Sequence, residues 1–78
     1  MYFLCIIYVL DEYLNKKHND EVKLVGRIND IEKVVTHKTD ANGQAFILHP
    51  LQSVDSVWVE GVDFGTMTVS GIKTIWLK

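Results

Sequence analysis

Three histidines, His18, His37 and His49, are the only side chains of this 78-residue chain that ionise near neutrality unperturbed, so proton transfer or metal binding would have to start with them. His37 and His49 flank a turn-rich segment, and strands ending at them could bring the two together. A zinc site needs a third and usually a fourth ligand, and Asp40, in the turn itself, is the only carboxylate nearby. The pattern therefore predicts surface histidines and no metal. Asp40-Ala41-Asn42-Gly43 resembles a fragment of a calcium loop, but the distal glutamate and the other ligands are missing, and a turn explains it better. Cys5 is the only cysteine, which excludes an internal disulfide and leaves a small buried hydrophobe as the reading. Ser53, Ser56 and Ser70 stand in no nucleophile elbow, and no histidine and carboxylate share an arrangement with any of them. No glycine-rich loop precedes a helix to cradle phosphate. Lys16-Lys17-His18 is a small basic cluster, but Asp11, Glu12, Asp20 and Glu21 surround it, as in a solvated loop. Neither catalysis nor a cofactor is expected.

The elements available to position these groups are few. One small domain, residues 1–78, is the most that 78 residues allow. A mass of 8.9 kDa implies roughly 4,800 Å² of folded surface and a core near the lower limit for independent stability. The net charge of −2 gives no field toward nucleic acid or an anionic membrane. The apolar run MYFLCIIYVL at residues 1–10 has no basic flank and no small-residue cleavage pattern, and it stops at Asp11 and Glu12, short of a bilayer's span. It reads as a strand rather than a signal peptide or membrane anchor. The expected location is then the cytoplasm, or a particle assembled there, unless the chain is one module of a longer exported protein.

The rest of the chain alternates apolar and polar residues with no sustained helical period. Residues 11–21 read as a polar loop. Further strands are predicted over residues 22–28, 31–38, 45–49, 53–60, 66–69 and 72–77, separated by Asn29-Asp30, by Thr39-Asp40-Ala41-Asn42-Gly43-Gln44, by Pro50, by glycines 61 and 65, and by Ser70-Gly71. Asn42-Gly43 is a strong hairpin signal, with Asp40 placed to bond the backbone amides ahead of it. Seven short, regularly spaced strands without helical crossovers predict an all-β, seven-stranded antiparallel sandwich.

Val9-Leu10-Asp11-Glu12-Tyr13-Leu14-Asn15-Lys16, the turn Thr39-Asp40-Ala41-Asn42-Gly43, and the closing sequence from Asp55 through Val62-Asp63-Phe64-Gly65 to Ile75-Trp76-Leu77 together resemble the Ig-like/prealbumin-like sandwiches. The likeness is to carboxypeptidase regulatory-like, Cna B-type and transthyretin-like modules. It implies the sandwich but no particular role, because such sandwiches carry many. The hydroxyisourate hydrolases share the architecture, but there a histidine precedes V-L-D and a tyrosine-rich Y-R-G-S signature closes the chain. Here Tyr8 stands in the histidine-like place and the chain ends Ile75-Trp76-Leu77-Lys78, which argues against that enzyme.

Strand parity gives the more productive signal. Val57 and Val59 share one face and Trp58 the other; Ile75 and Leu77 fit a core, leaving Trp76 outward. In the first strand both alternate sets, Phe3, Cys5, Ile7, Val9 and Tyr2, Leu4, Ile6, Tyr8, are apolar, although a sandwich strand has only one core face. Tyr2, Tyr8, Trp58 and Trp76 are thus the candidate binding residues, for a protein partner or a second copy. The expectation is a non-catalytic accessory or adaptor module in a larger assembly such as a phage virion or secretion spike. A carbohydrate platform is the alternative, with less support because no Asp, Asn and Gln cluster accompanies the tryptophans.

Overall fold

The computed structural model describes residues 1–11 and 19–77. The described residues form seven strands: β1 (Phe3–Leu10), β2 (Glu21–Ile28), β3 (Ile31–Lys38), β4 (Gln44–His49), β5 (Ser53–Val59), β6 (Val62–Asp63) and β7 (Gly71–Trp76). They form a three-stranded sheet, β4-β1-β7, and a four-stranded sheet, β3-β2-β5-β6. Cys5, Ile7, Val9, Ala45, Ile47 and Ile75 from the first meet Val22, Leu24, Val54, Val57 and Val59 from the second in one core. The surface of 4877 Å² is close to that expected for the mass, so the two sheets close on each other without leaving excess area.

Two turns have the geometry their residues favour. Asn29 and Asp30 both take positive φ, 52° and 65°, and join β2 to β3 with Ile28 opposite Ile31, a two-residue hairpin whose twist matches its strands. Glu60 and Gly61, at 49° and 80°, repeat it between β5 and β6. The Asn42-Gly43 turn also forms. The carboxylate Oδ1 of Asp40 accepts from the Asn42 and Gln44 amides at 2.8 and 3.1 Å, and Gly43 takes φ 71°. It does not make the expected hairpin. β3 stays at the edge of the four-stranded sheet, and β4 instead crosses to the other sheet and pairs with β1, where Ala45, Ile47 and His49 reach the core from the opposite side.

Two more expectations are corrected. The sandwich is not wholly antiparallel, because β7 runs parallel to β1, with Val9 opposite Ile75. Parallel neighbours need a long crossover, and here the strands of the facing sheet supply it. The sixth strand is Val62–Asp63, not residues 66–69. Gly65, at φ 89°, turns the chain away, and within residues 66–69 only Met67 makes a bridge, to Val54. A bulge lies where Val25 and Gly26 lose register against β5. There Gly26 sits so close to the neighbouring strand that a Cβ would stand 1.9 Å from the Ser53 carbonyl oxygen.

Candidate functional site

Both alternate sets of β1 are apolar, and the sandwich covers one of them. Cys5, Ile7 and Val9 are fully buried, while Leu4, Ile6, Tyr8 and Leu10 point away from the core. Register then decides what surrounds them. Leu4 lies beside Leu48; Ile6 lies between Phe46 and Ile72; Tyr8 lies between Gln44 and Thr74; Leu10 lies beside Trp76. Among the described residues, the outer face of β4-β1-β7 is therefore a continuous surface with no charged side chain at these ten positions. Its exposure is high: Leu48 64%, Ile72 66%, Trp76 54%, Phe46 48% and Leu4 45%. Contiguous apolar patches larger than a few hundred Å² are uncommon on the surface of monomeric proteins.

The opposite outer face differs in character. There Glu21, Lys23 and Arg27 of β2 neighbour Lys38, Thr36 and Glu32 of β3. Arg27 pairs with Asp55 at 3.1 Å and Lys23 approaches Glu21 at 3.9 Å. That face suits water. The contrast between the two faces of one sandwich, rather than any single aromatic, is what singles out the three-stranded side.

The four aromatic candidates divide between these faces. Tyr2, exposed, and Tyr8, half-buried, belong to the side of the three-stranded sheet by the parity of β1, and Trp76 joins them there through β7. Trp58 lies on the far side, half-buried, its indole N–H donating to the Ser56 hydroxyl at 2.9 Å. Phe46, Leu48 and Ile72 lie outside the sequence-predicted set, whereas Leu4 belongs to the second apolar set of the first strand. Ile72 shares the parity of Trp76, a signal that was present; the parity of Phe46 and Leu48 could not be oriented before the partner of β4 was known.

The histidines also separate. His37 is exposed on β3 and His49 is buried on β4 of the other sheet, so the hairpin that would have brought them together is absent. His18 and the Lys16-Lys17 pair lie outside the described residues. His49, expected at the surface, is instead a fully buried junction. Its Nδ1 accepts from the Leu51 amide at 3.0 Å, so Nε2 carries the proton and donates to the Val69 carbonyl at 2.8 Å. The Cys5 thiol donates to the same carbonyl at 3.1 Å and lies 3.3 Å from Nε2. Because Nε2 is already protonated, it cannot take the thiol's proton, and burial pushes the Cys5 thiol above its ordinary range. The pair ties the segment before β7 to the corner after β4. Among the described residues no group of three or more His, Cys, Asp and Glu could hold a metal.

At one edge of the sandwich, Val62 and Phe64 face Trp76 and Leu77 across an open apolar groove of about 380 Å³. Trp76 thus borders both this groove and the apolar face. No family model, curated protein or solved structure matches the chain.

Proposed function

We propose that this chain is a non-catalytic protein-binding or structural module that docks through the outer face of β4-β1-β7, as a small adaptor in a larger assembly. The observation that carries the reading is that ten outward positions on three adjacent strands include no charge and present five large apolar side chains about half exposed or more. Leaving that area in water forgoes about 25 cal/mol for each Å², which a partner surface recovers. A prealbumin-like sandwich is the family shape we infer. It is favoured over the immunoglobulin constant arrangement because β1 and β2 lie in different sheets, whereas there the first two strands share one.

The test is the native size of the tagged chain in an extract of cells that express it. The wild type should elute as a complex well above 8.9 kDa, and Phe46→Glu/Leu48→Glu, at two exposed positions, should elute at the monomer's place while keeping its β-sheet circular dichroism. A wild-type chain eluting as a monomer would refute the reading.

A further inference from the structure

We infer that the occupant of the apolar face is a second copy of this chain, stacked sheet on sheet about a two-fold axis that passes near Ile6. This rests on the interface reading above and names its partner. Three features of the face favour a copy over a foreign chain. The first is area. At about 200 Å² for a fully exposed large side chain, the five most exposed residues present roughly 550 Å², and Tyr2 with the half-buried Ile6, Tyr8 and Leu10 brings this to about 700–800 Å². Two such faces together would bury about 1,400–1,600 Å², the size of a standard stable interface.

Composition is the second. Interfaces with transient partners are about as polar as ordinary surface, and charge complementarity selects the partner. The described strand positions of this face carry no charge with which to select one, as expected of a permanent contact between identical chains. Geometry is the third. A two-fold contact requires a patch that complements itself, and Ile6, midway along the central strand between Phe46 and Ile72, gives the axis a natural place. Two twisted sheets meeting through such faces pack at about 10 Å, as the two sheets within a sandwich do.

The experiment is light scattering on the purified chain over a concentration series, with single substitutions on each face. Wild type should have twice the 8.9 kDa chain mass in the micromolar range. Ile72→Glu, at a position 66% exposed, should raise the dissociation constant at least 100-fold without loss of the β-sheet spectrum. Ile6→Glu, which sets two like charges at the axis, should do so more strongly; the Ile72 variant guards against misfolding at this half-buried position. Val34→Glu, 54% exposed on the opposite face, should leave the dimer intact. A purified wild type that stays monomeric at every concentration overturns the second copy. If the same chain is part of a larger complex in extract, the interface reading survives with a foreign partner; if it is monomeric there too, both fall. A dimer disrupted by Val34→Glu but not by Ile72→Glu would place the contact on the wrong face and overturn the inference.

Discussion

Replacing His49 with alanine tests the reading that this residue is a structural junction. The side chain is fully buried and makes three close polar approaches: Leu51 N–H to Nδ1, Nε2–H to the Val69 carbonyl, and Nε2 to the Cys5 sulfur. Alanine leaves the Leu51 amide buried without its acceptor, a cost of about 1–3 kcal/mol. The emptied ring space adds a cavity term at about 24 cal/mol per Å³, so the total should reach about 3–5 kcal/mol. Stability of about 0.05–0.15 kcal/mol per residue gives this chain roughly 4–12 kcal/mol in all, so His49→Ala should remove a large part of it. His49→Gln, whose amide can both accept from Leu51 and donate to Val69, should cost about half as much. The assay is urea unfolding followed by tryptophan fluorescence, at one fixed protein concentration because association would contribute to the midpoint. An His49→Ala variant within 0.5 kcal/mol of wild type would refute the reasoning, as would a glutamine variant no better than alanine.

Gly26→Ala should cost about 3 kcal/mol or more, since its Cβ would meet a backbone oxygen at 1.9 Å, whereas Gly61→Ala, with open space but φ 80°, should cost only about 1–2 kcal/mol; urea midpoints give the order, and a reversed order refutes the bulge argument. Cys5 should resist a thiol reagent at pH 8 until urea unfolds the chain; rapid labelling of the native protein would show the site to be open. Burial raises its folded-state ionisation above the unfolded 9.0, so the proton is held more tightly when folded. Its contribution is thus complete below pH 9 and is lost as pH rises through the folded value. The stability gap between wild type and Cys5→Ala should shrink above pH 9, and a gap that widens would reverse the sign. Trp76→Ala should weaken association at least tenfold while Trp58→Ala, on the opposite face, leaves it unchanged by light scattering; equal effects would show that the apolar face is not the contact.

The positions of six strands were legible because local chemistry sets them. β-branched runs ended by Asn29-Asp30, Pro50 or Gly61 can form little else, and the outward parity of Trp58 and Trp76 followed from the valines and isoleucine beside them. Pairing was not legible. Asn42-Gly43 specifies that the chain reverses but not which strand the return pairs with: β3 lies at a sheet edge, yet β4 pairs with β1, which puts Ala45, Ile47 and His49 into the core. The sixth strand failed for a related reason, since Thr66 and Val69 direct their polar groups to Val54, Cys5 and His49 rather than to a ladder. His49 looks like any strand-end histidine in sequence. Only a contact 44 residues away, to Cys5, and another 20 away, to Val69, reveal its place.

The edges of the two sheets bear on the same question as their faces. An open edge offers unpaired amides and carbonyls to any passing strand, and charged side chains are the usual protection. β3, the long edge of the four-stranded sheet, carries Glu32, Lys33 and Lys38 within eight residues. On the three-stranded sheet, β4 reads QAFILH without a charge, and β7 has only Lys73, whose ammonium is engaged with the Thr66 carbonyl at 3.2 Å. Protection against neighbours is thus concentrated on the side whose face is already polar. The apolar face and the more sparsely charged edges coincide, which is the distribution expected if that side is normally covered: charge placed there would oppose the contact, and charge on the far side keeps the covered assembly soluble.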